Sequence, residues 1–313
     1  MAVLQGQKPY NLIVILGPTA SGKTGLAVEL AADLGGEIVS GDSRQVYRGM
    51  DLGTGKDLHE FTCRGRTIPY HMIDIVDPGY EYNLFEYQHS FYRVFEDVHR
   101  RGSFPILAGG TGLYLESVIE GYDLTRVPPD PRFHRELERY DMEALRKRFL
   151  DLDPSLHNTT DLLDKDRLIR AIEIEERSAA AAPGEKAGIP RVRAFVTGVR
   201  IERSTLHRRI RARLLERLEK GMVEEVERLH REGLSWEKLD YFGLEYRYVG
   251  LHLKGELTYG EMVETLAARI RQFAKRQETW FRRMERRGTV IHWFDHDDYR
   301  ALKRLVEEHV MGS

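Results

Sequence analysis

Residues 17–24 read G-P-T-A-S-G-K-T and follow directly on the apolar run Leu12-Ile13-Val14-Ile15-Leu16. The spacing is G-x-x-x-x-G-K-[ST], the pattern of a loop that joins a buried strand to a helix and wraps an anion. Small residues among Gly17, Pro18, Thr19, Ala20, Ser21 and Gly22 let backbone N–H groups curl around phosphate oxygens. A helix beginning near Gly22 directs its positive end at the same oxygens. Lys23 reaches an outer phosphate, and the Thr24 hydroxyl can ligate Mg²⁺. The motif predicts a nucleotide or a pyrophosphate held with Mg²⁺. It leaves open whether a phosphate is what moves.

Around this loop, short apolar runs alternate with helix-period stretches. Residues 11–16, 37–40, 72–76 and 104–108 read as buried strands, and 23–34 and 84–101 as helices. Repeated strand–helix alternation predicts a parallel sheet with crossover helices. The rigid break Val127-Pro128-Pro129-Asp130-Pro131 opens a charged stretch of helical period with no strand candidate. The run Ser178-Ala179-Ala180-Ala181-Ala182-Pro183-Gly184 reads as a mobile linker, because Pro183-Gly184 stops any helix. A strand at 194–199, helical stretches at 204–233 and 259–287, and a last strand at 290–294 follow. The expected architecture is α/β: a P-loop NTPase-like parallel sheet flanked by helices, made of residues 1–121 and 190–313. Residues 122–189 form an inserted helical subdomain.

Bulk composition excludes several classes. Of 313 residues, 41% are hydrophobic and 31% charged, as in ordinary globular domains. The apolar run at 12–16 falls far short of the roughly 18 residues a membrane span needs, and no basic leader precedes it. Cys63 is the only cysteine, which rules out an intrachain disulfide and suits a reducing, cytoplasmic setting. The net charge of -2 does not announce a nucleic-acid binder, but a whole-chain sum hides local asymmetry.

The loop alone permits three readings: a small-molecule kinase, a nucleotide-dependent switch that binds a partner such as RNA, or an enzyme holding pyrophosphate as a leaving group. A second stretch narrows them. D-S-R-Q-V-Y-R-G-M-D-L-G-T-G-K, residues 42–56, follows the second expected strand. Ligands bind beyond the carboxyl ends of parallel strands, which puts Asp42 beside the phosphate loop. An aspartate there can be a mere turn cap. Together with G-G-T-G-L-Y at 109–114, after the fourth expected strand, it becomes a constellation.

These stretches, with H-M-I-D-I-V-D-P (71–78), D-R-L-I-R-A-I-E (166–173) and A-K-R-Q-E-T-W-F (274–281), resemble the tRNA dimethylallyltransferase family in order and over nearly the whole chain. No zinc-finger extension follows, as in the bacterial form. The resemblance implies transfer of a dimethylallyl group from dimethylallyl pyrophosphate to N6 of the adenosine next to the anticodon (position 37) of tRNA. Carbon, not phosphorus, would move, and an ATP-binding label would reflect kinase-like ancestry. It further implies that Asp42 is the base for N6, that Thr19 contacts the bridging oxygen of the leaving group, and that Arg213 reaches the pyrophosphate. Arg209 is the alternative one turn earlier. Around the extruded base the resemblance places Asp42, Ser43, Arg44, Gln45 and Thr111. Asp166, Arg167, Leu168, Ile169, Arg170, Tyr246 and Arg247 are the further RNA contacts it implies.

Between 269 and 287 the chain carries eight basic residues, with Arg269, Arg276, Arg283 and Arg287 near one helical side. Lys275 and Arg276 are taken from this stripe as tRNA contacts that neutralise phosphates. Two positions depart from the family pattern. Glu245 replaces the usual glycine before Tyr-Arg, and His134 stands where an insert-domain arginine is common, flanked by Arg132 and Arg135. His292, Asp295, His296, Asp297 and Asp298 read as a solvated strand-to-turn junction rather than a metal site. His59, Cys63 and His71 lack a fourth zinc partner, and Asp74 and Asp77 read as caps at least as well as groups behind Mg²⁺. The expected partners are the tRNA anticodon stem-loop and dimethylallyl pyrophosphate, with no membrane, acting on a monomer.

Overall fold

A computed structural model describes residues 9–124, 126–152, 165–180 and 189–312, except for the side chains of Arg167 and of residues 178–180. The chain divides into two compact units, 1–121 with 190–313, and 122–189.

The first unit is built on strands β1 (Leu12–Leu16), β2 (Gly36–Ser40), β3 (Thr62–Cys63), β4 (Arg66–Thr67), β5 (Tyr70–His71), β6 (Phe104–Gly109), β7 (Ala194–Arg200) and β8 (His292–Asp295). Its helices are α1 (Lys23–Leu34), α2 (Leu84–Arg100) and α3 (Gly112–Ile119). After the second unit's α4 (Pro131–Leu137), α5 (Met142–Asp151) and α6 (Lys165–Ala180) come α7 (Arg203–Glu219), α8 (Met222–Arg231), α9 (Trp236–Phe242), α10 (Leu244–Leu253), α11 (Tyr259–Arg286) and α12 (Tyr299–Val306). Six strands form one sheet in the order β5-β2-β6-β1-β7-β8, and every pair in it is parallel.

β1 is central and wholly buried, which is why it reads as an uninterrupted apolar run rather than an alternating one. Its side chains still alternate between faces. Ile13 and Ile15 join Leu26, Ala27 and Leu30 of α1, whereas Leu12, Val14 and Leu16 join Phe91, Leu115 and Phe281 on the other side. A third cluster packs Val46, Tyr47 and Met50, from the chain after β2, against α7, α8, α10 and α11 through Ile210, Met222, Tyr246 and Leu266. The segment carrying Asp42 is thereby anchored on helices far away in sequence.

Three expectations need correction. The strand expected at 72–76 ends at His71, because Met72 and Asp74 adopt positive φ (64° and 55°) that no strand accommodates. Only an isolated bridge from Val76 to Tyr47 remains. The helical stretch at 204–233 is two helices, α7 and α8, broken where Gly221 takes φ 102°. Residues 178–180 continue α6 rather than starting a linker, and the rest of that expectation, 181–184, lies outside the described residues. A short hairpin, β3–β4, was not expected; its turn uses Arg64 (φ 51°) and Gly65 (φ 73°).

In the second unit, Leu137, Leu145, Phe149, Leu168, Ile169 and Ile172 form a core of their own. Among the described residues no helix is long and apolar enough to cross a membrane.

Candidate active site

The phosphate loop leaves the carboxyl end of β1 and runs into α1. Ala20 (φ 61°) and Gly22 (φ 91°) bend it back on itself, and Gly22 caps α1 without a side-chain bond. The first amides of α1 thus keep no partner from a capping side chain, the condition for an anion to take that place. Among the described residues, Ser21 Oγ, buried at the same turn, has no hydrogen-bond partner.

Lys23 is half-buried, with Nζ 3.4 Å from the Pro18 carbonyl. Burial pushes its ammonium down to about 8; Asp42 opposes that shift, and Arg213 adds to it. The charges of Asp42 and Arg213 thus reach Lys23 although the three stand on the loop after β2, α7 and α1.

Asp42 is half-buried just past β2. Its Oδ1 accepts the Arg44 amide at 3.0 Å, and its own amide donates to Ser40 Oγ at 3.3 Å. This turn tethers the carboxylate through one oxygen. The Ser43 amide donates to Thr111 Oγ1 at 3.0 Å, and Thr111 donates its amide to the Gly41 carbonyl at 3.1 Å. Gln45 accepts from Ser40 Oγ and donates to the Gly55 carbonyl at 3.2 Å. Arg44 lies 5.3 Å from the Tyr241 ring centre. Asp42, Ser43, Gln45 and Thr111 thus belong to one hydrogen-bonded rim.

The two candidate arginines take different places. Arg213 donates to Asp57 Oδ2 at 2.6 Å and to the Gly55 carbonyl at 3.3 Å. Arg217, one turn on and buried, donates to the same Asp57 oxygen at 2.9 Å. Burial pushes the Asp57 carboxyl up, but Arg217 and Arg213 together outweigh it and hold the group below the usual range. Arg209 lies over the phosphate loop itself: a Cβ added at Gly22 would meet its guanidinium at 3.0 Å. Glu245 opens α10, and burial pushes its carboxyl up against the pull of Arg217. With Thr19, Arg213 and Arg217 it lines a cavity of about 20 Å³, room for a single water. The departure at 245 therefore bears on the arginine cluster.

Several expected RNA contacts are core residues instead. Tyr246 is 1% exposed, and its hydroxyl donates to Glu225. Leu168 and Ile169 are fully buried in the second unit. None of the three has a surface to offer RNA, and the apolar period of α6 was the available signal. Arg170 is tied to Glu173 and the Val127 carbonyl. Arg247 pairs with Asp240, Asp166 is exposed, and His134 Nε2 lies 3.7 Å from its carboxylate. The side chain of Arg167 lies outside the described residues. On α11, Lys275 and Arg276 are exposed. The stripe expected there is only partial, because Arg287 pairs with the buried Glu116 at 3.2 Å and Arg283 faces it at 3.9 Å.

Of the positions set aside, His292 stacks on Phe195 with ring centres 4.7 Å apart. His71 bonds Glu37, Asp74 pairs with Lys56, and Asp77 with Arg48.

Four supporting residues escaped the sequence reading. Lys56 is fully buried and pairs with Asp51 at 2.8 Å and with Asp74. Glu225 accepts the amides of Asp51, Leu52 and Gly53 at 2.9, 2.8 and 3.0 Å. Asp57 organises the arginines. Gln277 bonds two of the loops at once, with Oε1 on the Thr19 amide at 2.8 Å and Nε2 on the Gly110 carbonyl at 2.9 Å.

Known proteins resemble this chain along most of its length. Residues 45–284 match the model of IPP transferases, and residues 10–68 that of isopentenyl transferases. The chain is 56% identical over 297 residues to tRNA dimethylallyltransferase 1 of Syntrophus aciditrophicus, covering 95% of this chain and 97% of that protein. A counterpart in Geotalea uraniireducens is 53% identical over 287 residues, 92% of this chain and 93% of its own. The full-length tRNA isopentenylpyrophosphate transferase of Bacillus halodurans superposes with a TM-score of 0.66 at 34% identity, covering 96% of this chain and 94% of that one. A eukaryotic dimethylallyltransferase captured acting on tRNA gives 0.71 at 25% identity, over 95% and 78% of the two chains. A family model spanning most of the sequence, and relatives more than half identical along nearly their whole length, establish that this chain belongs to the IPP transferase family.

Proposed function

We propose that this protein transfers a dimethylallyl group from dimethylallyl pyrophosphate to N6 of the adenosine next to the anticodon in tRNA, releasing pyrophosphate. The observation that supports the reading is the phosphate loop at the end of β1 tied, through Gln277 and the loop after β6, to the turn that holds Asp42. That loop suits a polyphosphate anion, and Asp42 offers a carboxylate just past the end of β2.

N6 of adenine is a weak nucleophile because its lone pair is delocalised into the ring. As the N6–C1 bond forms and the C1–O bond breaks, the electron pair leaves with pyrophosphate and the N6 proton passes to the Asp42 carboxylate. Lys23, the amides of residues 22–24 at the start of α1 and Arg213 compensate the charge growing on the leaving group. For Arg213 this means exchanging Asp57 for pyrophosphate, or sharing itself between them. The Thr19 hydroxyl faces the bridging oxygen. Mg²⁺, when bound, would neutralise part of the pyrophosphate charge; the half-buried Thr24 hydroxyl would hold it, and the buried Ser21 hydroxyl in the same turn, without a partner among the described residues, suits such a hard-oxygen site.

The target base is stacked in the anticodon loop and must be extruded to present N6. Asp42, Ser43, Arg44, Gln45 and Thr111 would surround it. Lys275 and Arg276 would meet tRNA phosphates, and the second unit would contact the anticodon stem-loop through His134, Asp166 and the arginines of α4. All these groups come from one chain, so a monomer suffices, and a tRNA substrate puts the work in the cytoplasm.

Incubation with tRNA and labelled dimethylallyl pyrophosphate, or labelled ATP, tests the reading. Label is expected in tRNA from the prenyl donor alone. Label passing from ATP to a small metabolite, with none in tRNA, would make the protein a kinase. Binding of RNA and nucleotide without product would make it a switch.

A pH dependence follows from Lys23. Its proton is held below about pH 8 and lost above it in the free enzyme. Pyrophosphate favours the charged form, so binding above that pH must first take up a proton. The dissociation constant for inorganic pyrophosphate is expected to rise by up to about tenfold per pH unit above that point. Lys23→Arg, charged throughout, is expected to flatten the profile; an unchanged slope in that variant would remove Lys23 as its source.

A further inference from the structure

We propose that Gln277 is a positioning residue for the transfer: its side-chain amide clamps the phosphate loop to the 109–112 loop and so fixes Thr19 relative to Asp42. This rests on the function proposed above.

The residue stands out first as a polar group in the wrong register. The buried stripe of α11 includes Leu266, Ile270, Ala274, Phe281 and Met284, and Gln277 is its one polar member. It is 6% exposed. An amide in such a place costs stability unless both its ends are bonded, so an apolar side chain is the default there. Both ends are bonded, and each to a different strand-end loop. Oε1 accepts the amide of Thr19, and Nε2 donates to the carbonyl of Gly110.

The surroundings are shaped to that amide. A Cβ at Gly110 would lie 2.4 Å from Gln277 Nε2, so the clamp closes only over a glycine. One turn along α11, Trp280 packs so tightly on Gly112 that a Cβ there would meet the indole at 2.3 Å. Thr111, held between these two glycines, binds the Gly41 carbonyl and the Ser43 amide on either side of Asp42. A continuous chain of bonds therefore runs from Thr19 through Gln277, Gly110 and Thr111 to the turn that carries Asp42. The exposed Lys275 and Arg276 sit on the same turn of α11, so the helix that would meet RNA phosphates also sets the gap between base and leaving group.

Gln277→Met keeps the side-chain volume and removes both bonds. Displacement of reacting groups by about 1 Å can cost on the order of 10²-fold. The expected result is a loss of that size in kcat for dimethylallyl transfer, with KM for tRNA within about threefold of the parent. Gln277→Glu separates positioning from mere structure. A neutral carboxyl can accept from Thr19 and donate to Gly110, whereas a carboxylate cannot donate and repels that carbonyl. Burial raises the pKa of such a carboxyl. The Glu-to-parent ratio of kcat is therefore expected to climb toward one as pH falls from about 8 to about 6, while the Met ratio stays flat; taking ratios removes any pH dependence that parent and variants share. A Met variant within about threefold of the parent in kcat, or Glu and Met ratios that are both flat, would overturn the clamp. Hydrogen exchange at the Thr19 amide needs no substrate: protection in the parent and its loss in the Met variant are expected, and equal protection in both would refute it. If the parent transfers no prenyl group, the proposed function falls, and amide exchange still judges the clamp.

Discussion

Replacing Asp42 with Asn is expected to leave tRNA affinity within about twofold while lowering kcat by about 10²–10⁴. The amide keeps the shape of the side chain, and its oxygen still accepts the Arg44 amide that fixes the turn. In the proposed reaction, what it loses is the ability to take a proton from N6 as the new bond forms. Because Asp42 also offsets the burial of the Lys23 ammonium, removing its charge lowers the Lys23 pKa further. The pH above which pyrophosphate affinity falls should therefore move down in the same variant. Single-turnover assays with labelled donor, alongside tRNA binding by filter retention, measure both effects. Retained turnover would remove Asp42 as the base.

Glu225→Ala should cost more stability than any surface change. The carboxylate is buried on α8 and accepts the amides of Asp51, Leu52 and Gly53 and the Tyr246 hydroxyl, four donors in all. A buried donor left without its acceptor costs about 1–3 kcal/mol, so even with water entering the gap the loss is expected to be about 3–5 kcal/mol. That is a large fraction of the roughly 5–15 kcal/mol that holds a typical domain together. Glu225→Gln, which keeps one acceptor oxygen and the shape, should lose less. Trp236, Trp280 and Trp293 all lie in the unit that contains the sheet, so their fluorescence in urea reads that unit alone. A midpoint unchanged in the Ala variant would mean that the three amides find other acceptors.

The parts of the fold and site legible beforehand are those where local chemistry allows one solution. An apolar five-residue strand followed by small residues and Gly-Lys-Thr has a single reading, and β1, the loop and α1 fall where that reading puts them. The place of Asp42 just past β2 was legible because strand ends in a parallel sheet point to one edge; its role as base came from the family resemblance alone. Gln277 and Glu225 were not, since a polar residue in an apolar register signals a buried bond without naming its partner. The strand at 72–76 failed because apolar content does not report positive φ. Leu168, Ile169 and Tyr246 lie in stretches that resemble RNA-binding motifs, yet their apolar spacing answers to packing. The break between α7 and α8 was readable in Gly221, and a glycine inside a helical period deserves the weight of a stop.

The order of the strands in the sheet has one more consequence. β1, first in sequence, pairs on one side with β6 and on the other with β7, in the register Leu12 with Ala194. A nascent chain leaving the ribosome must wait for nearly two hundred residues before that second edge is covered, and longer still for α11 to arrive. Such long-range parallel pairing slows folding and leaves an open strand edge prone to association. Synthesis of this protein should therefore depend on chaperones that shield the early half, and fragments ending before β7 should aggregate rather than fold.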